Sequence, residues 1–285
     1  RCLPYLLGHG GDVPELRRPN SNGNGNGGDA IAVLGGVYSN HLALRAAIED
    51  ARRHGAGRVF CLGDLGGFGP NPGRVYPILN EHQVETIAGN YDRSLAERAP
   101  DCGCGYTNAD DNAFARLSYD YTNARTTDAE RTWLAALPGS IRFTRGGKRW
   151  LLCHGSPRRV NEFLWESSTS DAFLERLLRE AQADQLLCAH TGLHWQRALP
   201  NGGRVVNAGA VGRPANDGSA DVWYAWFGPG RDEAEFVSVT YDHESLAREM
   251  EEEALPGEFI ETIRTGWWTT CLECLPAKER ARGRH

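Results

Sequence analysis

The chain has 285 residues and 40% hydrophobic content, enough to bury a large core in one compact domain with appendages. Its formal net charge of -6 gives a long nucleic-acid duplex no general attraction, whereas a small phosphorylated ligand needs only a local positive site. No run approaches the roughly 18 apolar residues of a membrane helix, so no membrane partner is expected.

The apolar stretch Leu3 to Leu7, broken by Pro4 and lacking a basic leader, does not read as a signal peptide. Eight cysteines at irregular positions in a mid-sized acidic chain point to reduced thiols and a cytoplasmic setting. A homo-oligomer is compatible with all of this.

From Asn20 to Gly28 the chain alternates Asn and Gly with one Ser, a composition that buries no apolar surface. Residues 1–29 are therefore expected to be a flexible tail in which Cys2 and His9 are incidental. A main domain is expected over residues 30–243, and a helix and tail over 244–285.

The apolar run Ile31 to Leu34 predicts a buried strand, and Asn40 is placed to cap a helix whose Leu42, Leu44, Ala47 and Ile48 recur at helical spacing. Residues 58–62 repeat the strand and run into Gly63-Asp64. Residues 75–79 are helical, and a third strand over 84–88 delivers Gly89-Asn90. Beyond an insert around Cys102-Gly103-Cys104, helices are expected over 111–125 and 128–137.

Strands over 141–144 and 149–153 flank Gly146-Gly147 as a hairpin, the second presenting His154. A helix over 171–183 precedes a strand at 185–188 and then His190. Short strands over 196–199, 204–207, 221–227 and 235–240 are expected to form a second sheet, followed by an acidic helix at 244–253 and a tail from Trp267 to His285 that ends in a frayed basic segment. Alternating strands and helices imply sheets covered by helices, with functional loops at strand ends.

Several of those strand-end loops carry a pattern: Gly36-Val37-Tyr38-Ser39-Asn40, Gly63-Asp64, Gly89-Asn90-Tyr91-Asp92, His154-Gly155-Ser156 and Ala189-His190-Thr191-Gly192. In this order they resemble the calcineurin-like metallophosphoesterase superfamily, in its compact bacterial branch, over about residues 31–241. The loops Gly69-Pro70-Asn71-Pro72, His154 to Arg158 and Asn207 to Gly212 also look like those of that branch. The resemblance implies an α/β fold, a four-layer αββα metallophosphoesterase sandwich of two mixed sheets flanked by helices.

The family pattern is D-x-H, G-D, G-N-H-D or E, a lone His and G-H-T-H, converging on two metal ions. Here the motif-one Asp is replaced by Gly36, the motif-one His by Tyr38 and the last His by Gly192. All three losses fall on one ion's ligands. The resemblance implies that Asp64, Asn90, His154 and His190 keep the other ion's full set, two oxygen and two nitrogen donors suited to one divalent Zn, Fe or Mn.

In the two-metal enzymes a hydroxide bridging the ions attacks phosphorus, so a single ion implies slower or different chemistry. Asn90 and Arg158 are expected to orient the phosphoryl group, and Tyr91 stands where the family has a leaving-group acid, although an unperturbed phenol near pKa 10 is a weak acid at neutral pH. Arg159 and Arg213 are further candidate phosphate grips. Tyr38 is read as filling the volume left by the lost ion, with coordination by its phenol as the sharper alternative.

His41 and His194 lie near the lost histidines but on other faces of the chain. The pairs Cys102/Cys104 and Cys271/Cys274 offer a weak signal for a structural zinc site, while Cys61, Cys153 and Cys188 read as buried thiols.

The leading expectation is a metal-dependent hydrolase acting on a small phosphorylated or anionic compound. The competing ones are an inactive binding or regulatory module and a single-metal enzyme with non-phosphoester chemistry. If the losses define the altered centre, Gly36→Asp, Tyr38→His and Gly192→His together are expected to restore general phosphoesterase activity.

Overall fold

A computed structural model describes residues 29–283, so the expected tail with Cys2 and His9 lies outside the described residues apart from Asp29. The first half of the fold follows the sequence closely. Strand β1 (Ile31–Leu34), helix α1 (His41–Arg53), β2 (Arg58–Cys61), α2 (Val75–Glu81), β3 (Glu85–Thr86) and α3 (Asn90–Glu97) alternate as expected. The Asn40 side chain caps α1 by accepting the Ala43 N–H at 3.0 Å. Strand β3 is shorter than its apolar run because the chain turns away after Ile87: its N–H still reaches the Cys61 carbonyl at 3.0 Å, but that of Ala88 bonds Pro138 at 2.9 Å.

Helices α4 (Ala109–Arg125) and α5 (Asp128–Ala135) lead to the hairpin β4 (Ser140–Arg145) and β5 (Lys148–Cys153). Then come α6 (Asp171–Glu180), β6 (Gln185–Cys188), β7 (His194–Ala198), β8 (Arg204–Ala208), β9 (Val222–Phe227) and β10 (Glu235–Val239). The chain closes with α7 (His243–Glu252), α8 (Gly257–Thr265) and the short α9 (Ala277–Arg280).

Two five-stranded sheets result, ordered β10-β9-β1-β2-β3 and β4-β5-β6-β8-β7. The expectation that the last four strands share a sheet is corrected: β7 and β8 join the hairpin sheet, whereas β9 crosses to pair antiparallel with β1, Ile31 opposite Phe227. The reason lies in β1, whose residues are all buried. Its edge away from β2 needs backbone partners, and β9 supplies them.

Strand periodicity sorts the apolar side chains into three interlayers. Ala32, Leu34, Val59 and Cys61 pack outward against helical residues such as Leu44 and Ile263. The alternate residues Ile31, Val33 and Phe60 meet Trp150, Leu187 and Val206 between the sheets. Leu151, Leu186 and Val205 pack on Leu174, Leu177 and Leu178 of α6. Helix, sheet, sheet, helix is therefore the layer order, as the resemblance implied.

The C-terminal segment packs back on the domain. Trp268 and Leu275 are 4% exposed and Glu279 is 2% exposed. Trp268 and Leu275 cluster with Trp165, and the Glu279 carboxylate accepts the Ser167 N–H at 2.8 Å. Paired tryptophans and a Leu bury enough apolar surface to hold a segment that its charge alone would leave in water.

Candidate metal centre

The loops after β2, β3, β5 and β6, all at the carboxyl ends of parallel strands, converge at one end of the two sheets. Gly63 and Asp64 follow β2 with φ of 88° and 53°. A side chain at Gly63 would place its Cβ 2.2 Å from the Gly89 nitrogen, so the two loops can touch only because this residue is glycine. That contact lets the Tyr91 N–H donate to Asp64 Oδ1 at 3.1 Å.

His154 directly follows β5, and its Nδ1–H donates to the Leu62 carbonyl at 2.6 Å. This leaves Nε2 facing Asp64 Oδ2 at 3.1 Å and His190 Nδ1 at 3.2 Å. Asp64, His154 and His190 are buried, and their ligand atoms lie within 4.8 Å of one another, making them the metal-competent cluster of His, Cys, Asp and Glu among the described residues.

Asn90 begins α3 with its Nδ2 donating to the Cys102 carbonyl at 2.9 Å, while its Oδ1 is buried without a partner. His190 Nε2 is likewise buried and unpartnered. Unsatisfied buried polar atoms cost free energy, and two beside a buried Asp/His cluster fit a missing cation.

Asp64 and His190 carry the charge states that ligation needs, whereas His154 must give up its Nε2 proton to join them. Burial alone would raise the Asp64 carboxyl, but His154 and the Tyr91 N–H hold it below its ordinary value. Burial would lower His154, yet the Asp64 carboxylate keeps its proton on and raises it. Burial and the neighbouring His154 push His190 down to about 3, leaving a neutral ring with a free lone pair.

The other expected site residues are placed less simply. Tyr91 lines the cavity beside Asp64, but its hydroxyl is engaged by Thr122 Oγ1 at 3.3 Å and Ser118 Oγ at 3.4 Å, and burial raises its pKa. Arg158 lines a cavity with His154, Arg93, Arg142 and Arg159, distinct from the one that Asp64 and His190 line. Its guanidinium stands 3.9 Å from Glu162. His41 is tied to Arg74 and Glu249 at 3.3 and 3.6 Å, and His194 packs on Trp223 and Phe236, so neither joins the cluster.

Cys102 and Cys104 are joined as a disulfide, which corrects the expectation of reduced thiols at that pair. The Cys102 carbonyl holds the Asn90 amide, giving the loop a positioning role. Cys104, Cys271 and Cys274 line the Asp64 cavity, yet no cysteine belongs to the described ligand cluster.

Aromatic rings crowd the space beside Gly36 and Gly192. A Cβ at Gly36 would lie 2.6 Å from Tyr38 Cε1 and Cζ, and one at Gly192 would lie 3.0 Å from Trp268 Cη2. Tyr38 thus covers position 36, and Trp268 covers position 192. Asp92 is the residue that sequence reasoning left without a role. It is fully buried and accepts the N–H groups of Gly89 and Asp64, both at 2.8 Å, and of Leu65 at 2.9 Å. An acid three residues after Gly89, at the start of α3, was the available signal.

A two-sheet α/β sandwich gathering buried Asp and His at strand ends defines the class of metal-dependent phosphoesterase folds. The chain belongs to the calcineurin-like phosphoesterase superfamily, whose domain matches residues 30–225. It is 24% identical over 242 residues to the uncharacterized protein MJ0912 of Methanocaldococcus jannaschii, covering 79% of this chain and 93% of that one.

The fold is similar to the crystal structure of hypothetical protein PH1004 from Pyrococcus horikoshii OT3, with a TM-score of 0.71, 23% identity and coverage of 84% and 99% of the two chains. It is also similar to a metallophosphoesterase from Sphaerobacter thermophilus, with a TM-score of 0.63, 24% identity and coverage of 83% and 98%.

Proposed function

We propose that the chain is a metal-dependent hydrolase acting on a small phosphorylated or anionic compound through a single-ion centre. The buried Asp64, His154 and His190 cluster, with the orphaned Asn90 Oδ1 and His190 Nε2 beside it, carries this reading. Those four side chains would hold one divalent Zn, Fe or Mn ion, which when bound supplies Lewis acidity toward a phosphoryl oxygen and acidifies water.

The chain's own contribution is preorganisation. Leu62 and Asp64 fix the His154 ring, and Phe163, with its centroid 4.3 Å away, packs on His190. Asp64 stays ionised and His190 neutral, the states that ligation requires. Tyr91, with its hydroxyl bonded and its proton held by burial, contributes its backbone N–H to orient Asp64.

A binding role without turnover is the second reading, favoured by the engaged Tyr91 hydroxyl and the outward placement of Arg158. Metal analysis is expected to find about one equivalent, as the single donor set requires, and two would sink the single-ion centre. His154→Gln is expected to weaken metal binding by more than about 100-fold, beyond what loss of an outer partner costs. Phosphomonoester and phosphodiester turnover should fall with it. Bound metal and substrate analogue with no rate above background would select the binding role.

A further inference from the structure

Arg213 is 6% exposed and, among the described residues, has no carboxylate within ion-pair distance. Its Nη2 donates to the Thr270 carbonyl at 2.7 Å and to Thr270 Oγ1 at 3.3 Å, while its Nε is buried without a partner. Its guanidinium lies 3.9 Å from the Trp268 ring centroid and 5.1 Å from that of Phe68.

Ring contacts offset part of the cost of burying a charge, but they leave the charge uncompensated. The buried Asp111 carboxylate acts on it without forming an ion pair, so the cation stays open to an anion from outside the chain.

The backbone puts this cation where the erased half-site was. Gly212 N–H donates to the Gly36 carbonyl at 2.9 Å, and a Cβ at Gly212 would fall 2.1 Å from the Val37 carbonyl oxygen. The residue after Gly212 is therefore held against the motif-one loop. Arg213, Tyr38, Asp64, His190 and Gly192 then line one cavity.

The rest of that cavity is strongly aromatic. Phe68, Phe114 and Phe259 form one group, with centroids 4.6 and 5.7 Å from that of Phe259. Tyr106 and Phe163 stack at 6.0 Å as another, and Trp268 adds a face beside Arg213. All of these rings line the cavity. Planar half-buried walls of this kind suit an aromatic ring and offer an alkyl or hydroxylated group little orientation.

We propose that Arg213 anchors the oxyanion of an aromatic phosphate ester whose ring lies between these aromatic groups, so that a fixed guanidinium stands in for the absent first ion. The inference deepens the phosphoester reading by naming its substrate class, and it rests on that reading for the site of binding. A planar guanidinium with a free Nε edge matches a phosphoryl group in charge and geometry. Since the residue binds rather than reacts, its signature is affinity.

The test is calorimetric titration of the purified full chain, before and after chelation, with phenylphosphonate, methylphosphonate and benzyl alcohol. Phenylphosphonate is expected to bind at least about tenfold more tightly than either other probe, because charge-assisted and ring contacts are each worth a factor of this order. Arg213→Met is expected to lose at least about tenfold in phenylphosphonate affinity, with Arg213→Lys intermediate. Removing an uncompensated buried charge should leave Tm unchanged or raise it.

Equal affinity for the two phosphonates, or an Arg213→Met variant that folds and keeps its phenylphosphonate affinity, would overturn the proposal. If that variant does not fold, the three-probe series on the natural chain decides alone. Selective binding that survives chelation while no turnover is found would retain this inference and remove the hydrolase reading, so the two can fail separately.

Discussion

Asp92→Ala is expected to take away most of the fold's stability, although Asp92 touches no substrate. Its carboxylate is 0% exposed and accepts three backbone N–H groups, from Gly89, Asp64 and Leu65. Alanine leaves all three donors buried and unpaired at about 1–3 kcal/mol each, roughly 3–9 kcal/mol in sum. Against a typical total of about 5–15 kcal/mol, such a loss is close to unfolding. Chemical denaturation measures it, and a midpoint within error of the natural chain would refute this role.

Asp92→Asn separates charge from bonding. The amide oxygen can keep the two bonds made by Oδ2, while the Leu65 N–H then faces an amide NH₂. Burial and the neighbouring Asp64 charge push the Asp92 carboxyl up from 3.8 to about 6. A folded pKa above the unfolded one means that this contribution is fully present below 3.8 and is lost as pH rises through about 6. Ion-free natural protein is thus expected to lose stability relative to Asp92→Asn across that interval. A cation beside Asp64 would shrink the effect by offsetting the repulsion.

The parts of this protein that were legible in its sequence are those whose physics is local. Gly63 before Asp64 and the apolar strands before His154 and His190 marked strand ends, because glycine permits the tight loop and a buried strand must deliver its next polar residue at the sheet's edge. Those three side chains do meet.

The pairing of β9 with β1 was not legible, since nothing in 222–227 distinguishes one exposed sheet edge from another. Nor was the docking of Trp268 over Gly192, which joins segments distant in sequence. Arg158, in the turn closed by the Ser156 N–H on the Arg159 carbonyl at 2.9 Å, lines a cavity with His154 rather than the one lined by Asp64 and His190, a placement its position in sequence did not give. Arg213 was legible as a candidate phosphate grip after the Gly-rich loop, but its burial was not, because the tail produces it.

That tail decides the outcome of rebuilding the first half-site, which is expected to fail one residue at a time. Gly36→Asp alone drives its Cβ to 2.6 Å from two Tyr38 ring atoms and 2.8 Å from the hydroxyl. Overpacking of this kind costs about 1–3 kcal/mol, and relieving it would drive the Tyr38 ring into the cavity that it lines with Arg213 and Asp64. Tyr38→His removes that obstacle, so the pair is expected to be better tolerated than Gly36→Asp by itself.

Gly192→His faces two barriers: a φ of 75°, where a side chain costs roughly 1–2 kcal/mol, and Trp268 atoms at 3.0 and 3.2 Å from the new Cβ. The triple change Gly36→Asp, Tyr38→His and Gly192→His is therefore one residue short. Without Trp268→Ala, metal content is expected to stay near one equivalent and phosphoesterase activity to show no gain. Adding Trp268→Ala opens the space, at about 3–5 kcal/mol for truncating a buried Trp, and only this quadruple variant is expected to take up a second ion. Metal analysis of the four stages reads the sequence of events directly. A second equivalent already in the triple variant would show that Trp268 yields, and that the tail is a cover over the half-site rather than its filling.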